Sequence, residues 1–565
     1  MSRTTFAAAT LAVALASTPF MGNSTARAQQ PHRAWIETWT GTTELGQDVG
    51  WEVLTDSAGN IIVGGSTETD NNGADGLIRK YDRSGHLLWS RTYNGPGSGD
   101  DNLGEIEIDS NDNIILHGNV LGNGTGQDFC TIKYSPDGTL LWTQLYDGSG
   151  HSGDWSFSFR STGIDAADNI YVAGYAWTDA GHYECVTIKY AADGTEQWVQ
   201  PYQSPNPSGN AYGYCVQVTD DGTVYVGGTT TNLDGNSDYL LLKYDTNGTL
   251  IWDGLHDGIY GLGDSLYNMV MGPNEDIFLT GIMDTSGGFE YGVVKYNSDG
   301  VFQWETRYGG TQGYHYGWVM DVDTNGNVYV SGASETGGGE YDWVTIGIDT
   351  NGTLLWSKRF RNNYYFGPDW AYDLVVDDNN DVYVCGYIWE WFAEGHNAAI
   401  VKYDAAGNVL WEDVYNGDAG GNDAWFKAFI DDAGQVLLTG TSLGLGTGTD
   451  LILAKYRQSG PPMLDVAPDP LLPGAFATFT VTNAEPEADT YLVYSTVGEG
   501  NAPVSFLDVT LGLKSPQQAG NTIAADATGT AQWSIKIPGY ASGLDVWFQA
   551  AQYNVTTNVV ATHVQ

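Results

Sequence analysis

The sequence predicts an all-β chain, an eight-bladed β-propeller closed by its own N-terminal strand and followed by a small β-sandwich. Three observations lead there. Near-copies of Lys133-Tyr134-Ser135-Pro136-Asp137-Gly138-Thr139-Leu140-Leu141-Trp142 recur along the chain, with tryptophans at 89, 142, 198, 252, 304, 356 and 411 spaced 52 to 56 residues apart. A fixed period of that length marks one supersecondary unit repeated as an array. A glycine ends the second predicted strand of every unit, at Gly65, Gly118, Gly174, Gly228, Gly281, Gly332, Gly386 and Gly440. Finally, the unit ending at Lys455-Tyr456 lacks its tryptophan strand, while Trp35-Ile36-Glu37-Thr38-Trp39 at the other end is such a strand with no unit before it. Completing the last blade with the first strand leaves no unpaired edge at the seam.

In chain order, residues 1–28 read as a secretory signal: Arg3 supplies the positive start, residues 6–16 are a short apolar run, and Ala26-Arg27-Ala28 fits the cleavage pattern. Export follows, to the periplasm, the cell surface or the medium. The apolar run is too short to span a bilayer and no later stretch predicts a transmembrane segment. Residues 29–460 form the repeat. Its second unit shows the pattern of four strands: alternation over 103–109, a turn cluster Ser110-Asn111-Asp112-Asn113, a second strand from Ile114 to Gly118, a third from Phe129 to Tyr134, then Pro136-Asp137-Gly138 and a fourth strand over 140–146. An aromatic follows each repeat tryptophan by four residues, as Trp39, Tyr93, Tyr146, Tyr202, Tyr308, Phe360 and Tyr415, with His256 the exception. Residues i and i+4 of a strand share a face, so these pairs predict packing between blades. Residues 461–473, with five prolines, read as a stiff linker, and 474–565 as the sandwich.

Charge narrows the partners. The chain has 22 Lys+Arg against 69 Asp+Glu, a net of −47. A field of that sign repels phosphate backbones and anionic lipid, which excludes nucleic acid as a partner class. The four cysteines, Cys130, Cys185, Cys215 and Cys385, have neither disulfide-scaffold density nor metal-ligand spacing and read as small buried apolar residues.

The pattern Asn-Ile-Tyr-Val-x-Gly at 169–174, followed by Asp-x4-Lys-Tyr-Asp-x-x-Gly-x-Leu-x-Trp at 238–252, resembles the bacterial SBBP-type β-propeller repeat, and its tryptophan part is similar to the docking segment of quinoprotein propellers. The resemblance implies an exported propeller. It does not bring a quinone cofactor, because the adjacent cysteine pair of quinoprotein dehydrogenases has no counterpart here.

Candidate chemistry is sparse. The acid-x4-Lys pairs, such as Asp75/Lys80 and Asp128/Lys133, recur too regularly for a catalytic pair and read as structural ties whose partners lie in neighbouring strands or blades. Calcium is the candidate metal, at Asp321-x-Asp323-x-Asn325-Gly326-Asn327 and at residues 377–381. The closing bidentate acid is missing, Gly332 standing in its place, so turn chemistry is the favoured reading and no cofactor is assigned. His117 reads as a strand residue. Aromatic loops before each first strand are the leading binding candidates: Trp155, Tyr314, Tyr316, Trp318, Tyr365, Trp370, Tyr372 and Trp425, with Trp389 and Trp391 in a neighbouring loop. Exposed rings among acids and amides suit stacking on sugars or anchoring a protein. The expectation is a non-catalytic scaffold presenting this rim to an extracellular carbohydrate or protein. The alternative is a polysaccharide-active hydrolase or lyase with an axial site, for which Glu105, Glu107, His315 and Asp373 are the nearest residues.

Overall fold

A computed structural model describes residues 32–565 apart from 44, 70–72, 157–159, 310–312, 336–340, 361–366, 391–394 and 458–461. The predicted signal segment lies outside the described residues. Within them the chain is all-β, and no helix is long and apolar enough to cross a membrane.

The repeat folds as successive antiparallel four-stranded sheets, the layout of propeller blades. The first unit comprises Asp48–Thr55, Ile61–Thr69, Gly73–Tyr81 and Leu87–Tyr93, hydrogen-bonded in that order. The pattern repeats to the unit Trp370–Val376, Val382–Glu390, Gly395–Tyr403 and Val409–Tyr415. Two neighbouring units are joined by a short parallel bridge that pairs Gly288 with Gly313 and Phe289 with Tyr314. In the last sheet Asp423–Ile430, Val436–Leu443 and Thr449–Arg457 are completed by His32–Trp39, whose Ile36 faces Ala454 and whose Trp39 faces Leu451. The unpaired strand at one end of the sequence thus fills the gap at the other.

Hydrophobic cores lie between sheets, not within them. One core joins Ile62 and Ile78 of the first unit to Leu103, Leu116 and Ile132 of the second, and equivalent cores follow unit by unit. The last in the series joins Trp35, Leu437 and Leu453 of the final sheet to Val53, Val63 and Tyr81 of the first. The recurring tryptophan acts here. Trp89 packs on Gly138 of the next unit's turn, 2.8 Å from where a Cβ would stand, and its indole N–H donates to Pro136 O at 3.1 Å. Trp142, Trp198, Trp304 and Trp356 donate in the same way to the next unit.

The repeat lysines explain the acid-x4-Lys pattern. Lys80 Nζ reaches not Asp75 but Asp56 Oδ2 in its own unit's first turn, at 2.7 Å, and donates onward to Pro136 O at 3.1 Å. Lys133 does the same with Asp109 and Ala192 O. Each buried ammonium therefore ties one hairpin to the next unit, and residues five apart on a strand face opposite ways.

The C-terminal region begins earlier than the sequence suggests. Met463–Ala467, inside the stretch read as a linker, pairs with Phe476–Thr482, because its Leu464 and Val466 alternate into the core while its prolines fall outside the strand. This sheet, completed by Ala531–Lys536, shares one core with Asp489–Ser495 and Asp545–Gln552 of a second sheet through Phe479, Trp533, Leu492 and Phe548.

Candidate functional site

The innermost strands carry the site. Each first strand lies against the first strand of the next unit, and the last, Asp423–Ile430, lies against the first, Asp48–Thr55, which completes a circuit of strand contacts.

Seven of these strands share a β-bulge at one register: between Gly50 and Glu52, Leu103 and Glu105, Gly213 and Cys215, Leu266 and Asn268, Gly317 and Val319, Ala371 and Asp373, and Trp425 and Lys427. A bulge leaves one residue unpaired and turns its side chain out of the ladder. The repeat glycine of the second strand faces the bulge. A Cβ at Gly228 would overlap Tyr212 O, and one at Gly332 would overlap Tyr316 O. Close backbone approach is what requires glycine at these two positions, where φ is not positive.

The bulged residue is Trp51, Gly104, Tyr214, Tyr267, Trp318, Tyr372 and Phe426 in turn, aromatic at all but one. All six rings are half-buried. They meet one another across units: Trp51 stacks on Phe426 at 5.0 Å, Phe426 meets Tyr372 edge-on at 4.9 Å, and Tyr267 meets Trp318 edge-on at 6.4 Å. At Gly104, Trp51 occupies the space a side chain would take. The result is an aromatic collar on the inner strands.

Next to the collar in sequence sits a cluster of charges. Lys427 Nζ lies 3.2 Å from Glu52 Oε2 and 3.9 Å from Asp373 Oδ2. Glu105 accepts from the Ser161 hydroxyl and, at 3.0 Å, from Thr162 N. Burial pushes Glu52 up to about 7 against the pull of Lys427, and burial together with Glu52 pushes Glu107 to about 7. Burial, reinforced by Glu52 and Glu107, takes Glu105 to about 8 against its hydrogen bonds. Burial also opposes charge on Lys427, but Asp373 and Glu52 outweigh it and hold the ammonium above its ordinary range. Arg160 adds a second cation that acts on Glu52, Glu107 and Asp321. Its backbone carbonyl accepts Val216 N of the next unit, and its neighbour Ser161 accepts Ala173 N. A cleft lined by Glu107, Thr162, Asp165, Gln217 and Asp220 opens beside Glu107.

The sequence-predicted rim divides accordingly. Trp318 and Tyr372 belong to the collar. Trp370 stacks on Trp318 at 4.5 Å, and Tyr316 stacks on it at 5.7 Å. Tyr314 is exposed and packs edge-on against Phe289, Trp389 meets His396 at 4.6 Å, and Trp155 is partly exposed and pairs with Tyr175. Trp425 is a correction. It is fully enclosed against Tyr415, and the bulge one residue later makes half-buried Phe426 the collar ring instead. Tyr365 and Trp391 lie outside the described residues. Trp51, Glu52, Arg160 and Lys427 were not read from sequence. Aligning the first strands on the repeat glycine's partner is the signal that finds the first two and Lys427.

Other candidates resolve as structure. His117 is enclosed, bonds Thr131 Oγ1 at 3.0 Å through Nδ1, and burial lowers it to about 3. His315 is buried beside Ser334 Oγ. Asp323 spends its carboxylate on Asn325 N, Asn327 N and the Asn327 amide, the bonding of a hairpin turn, and Asp377 caps the turn at 377–381 similarly. All four cysteines are buried.

A family model described as a β-propeller domain of unknown function (DUF5122) matches residues 219–250. No curated protein matches the sequence. Among solved structures, the chain is similar to PorZ, described as a surface component of the type-IX secretion system of Porphyromonas gingivalis, at 13% identity over 92% of this chain and 74% of that one, with a TM-score of 0.39. It is similar to the polysaccharide lyase Uly1 at 10% identity over 73% and 90%, TM-score 0.39. The β-propeller domain of the trilobed protease from Pyrococcus furiosus is 7% identical over 64% and 99%, TM-score 0.35.

Proposed function

We propose that this chain is an exported eight-bladed β-propeller, sealed by its N-terminal strand and carrying a C-terminal β-sandwich, that binds an extracellular carbohydrate across its aromatic collar without turning it over. The observation that carries the reading is the collar itself: one bulge register on successive inner strands, occupied by rings that half-expose their faces. Flat apolar faces ringed by carboxylates and amides suit sugar rings, which offer axial C–H groups to stack and hydroxyls to hydrogen-bond. Glycan-array screening followed by titration calorimetry tests it. Trp318→Ala and Tyr372→Ala should each weaken a hit about tenfold or more, in keeping with the loss of one ring contact of 1.4 kcal/mol or so. Absence of any glycan hit, or hits indifferent to both substitutions, overturns it and leaves a protein ligand for the same surface.

One observation favours a second reading, catalysis at the axial charges. Glu52, Glu105 and Glu107, held near neutrality, have the acidity a general acid needs at physiological pH. New reducing ends or unsaturated products that disappear in Glu105→Gln would support it. Binding without product would count against it.

A further inference from the structure

In most units the acid that opens the third strand meets a compensating group of its own unit. Glu290 faces Arg307, at 3.4 Å, and Asp342 pairs with Arg359 at 2.5 Å. Glu184 accepts from the Gln203 amide at 2.7 Å, Asp238 receives both of its bonds from Asn232, and the corresponding residue before Lys402 is an amide, Asn397. Asp75, Asp128 and Asp450 instead bond a threonine and keep one buried carboxylate oxygen without a partner, and at Asp128 two further carboxylates arrive.

Asp128, Asp147 and Asp154 each place a carboxylate oxygen within 4.8 Å of the other two. Asp128 is 5% exposed, its Oδ2 is taken by Thr125, and its Oδ1 is buried with no hydrogen-bond partner. Asp147 Oδ1 is likewise buried without a partner, its Oδ2 being held by His151 Nδ1 at 2.6 Å. Asp154 is fully buried and accepts Gly148 N and Trp177 N. Burial first, then Asp147 and Asp128, pushes Asp154 up to about 6. Among the described residues the basic side chain in contact is exposed His151, which also faces Asp179. A buried anionic oxygen without a donor costs several kcal/mol unless a cation meets it. Calcium binds oxygens at about 2.3–2.6 Å, so oxygens on opposite sides of the ion stand about 4.8 Å apart.

We propose that Asp128, Asp147 and Asp154 form a calcium site between the second and third units, at a place where several other units set an arginine or an amide against the equivalent acid. The ion would take Asp128 Oδ1 and Asp147 Oδ1 as ligands, with water completing the shell.

The test is calorimetric titration of calcium chloride into the chelator-stripped full chain at pH 7.5, with thermal melts alongside. One saturable site is expected, with Kd of about 10⁻⁴–10⁻³ M, the range of extracellular calcium modules, and a melting temperature that rises with calcium. The Asp128→Asn/Asp147→Asn double variant should lose both effects. Because the chain itself uses Asn397 at the equivalent place, that variant is expected to fold, and circular dichroism checks it. Asp137→Asn, an exposed turn acid, should change neither. A flat titration up to about ten times that Kd range, equal behaviour of wild type and double variant, or magnesium binding as tightly as calcium would each overturn the assignment.

Discussion

Trp35 packs on the turn glycine Gly85 as Trp89 packs on Gly138: a Cβ at Gly85 would stand 3.1 Å from the indole. The two tryptophans are 54 residues apart, and Gly85 and Gly138 are 53 apart, so the N-terminal strand stands one repeat behind the first unit, where the last sheet lacks a strand. Lys455 repeats the relationship from the other side of the seam, donating to Arg83 O at 3.1 Å as Lys80 donates to Pro136 O.

Removing one indole should be felt beyond its own sheet. Trp252→Ala empties the space over Gly300 and the contact with Tyr225, and should cost about 3–5 kcal/mol. Leu250→Ala, at an exposed position of the same strand, should stay within about 0.5 kcal/mol. Denaturant unfolding measures both.

The bulge glycines should not tolerate a methyl group. Gly332→Ala drives a Cβ into Tyr316 O and should cost about 1–3 kcal/mol. Ligand affinity through Trp318 should fall with it, because the bulge aims that ring. Paired denaturation and binding curves check the coupling.

Stability should decline as pH rises past neutrality. Glu52, Glu105 and Glu107 titrate near 7, 8 and 7 in the folded chain and lower when unfolded. Between about pH 4.5 and 8 the folded state therefore holds more protons, so the contribution is complete below the unfolded value and disappears as pH climbs through the folded one. Melts from pH 5 to 9 should show a falling midpoint, and Glu105→Gln should flatten the slope. A rising midpoint would contradict the placement of these groups.

The C-terminal region should detach when its clamp is cut. Glu485 receives Lys455 at 2.6 Å and Arg457 at 3.4 Å, all three almost fully enclosed, and Arg83 reaches Glu487 at 3.1 Å. Removing a buried partner leaves cations uncompensated, a loss of about 3–5 kcal/mol. Glu485→Ala should speed proteolytic cleavage between Arg457 and Met463 while leaving the repeat's own fragment intact on gels.

The repeat was legible because its period, its turn residues and its tryptophan strand are written in single residues at fixed spacing. The missing strand at Tyr456 and the spare one at Trp35 together implied the pairing now seen between Ile36 and Ala454. The collar was only partly legible. A bulge adds one residue to an alternating strand and shifts the phase of everything before it, so residues 103–109 read as one regular strand and Trp425 took the place that belongs to Phe426. The junction carboxylates were illegible for another reason. Asp128 and Asp154 lie 26 residues apart and meet where the loop before the third unit returns to the second, Asp154 N donating to Gln127 O at 2.7 Å. The start of the C-terminal sheet was hidden by its prolines, which flank the strand without interrupting it.

Hydrogen exchange at the seam bears most directly on the proposed closure. If His32–Trp39 completes the last sheet, amides from Trp35 to Trp39 should exchange as slowly as those from Leu451 to Tyr456, and both should open only with global unfolding. Exchange of the N-terminal segment within seconds, while Leu451–Tyr456 stays protected, would contradict closure by that strand.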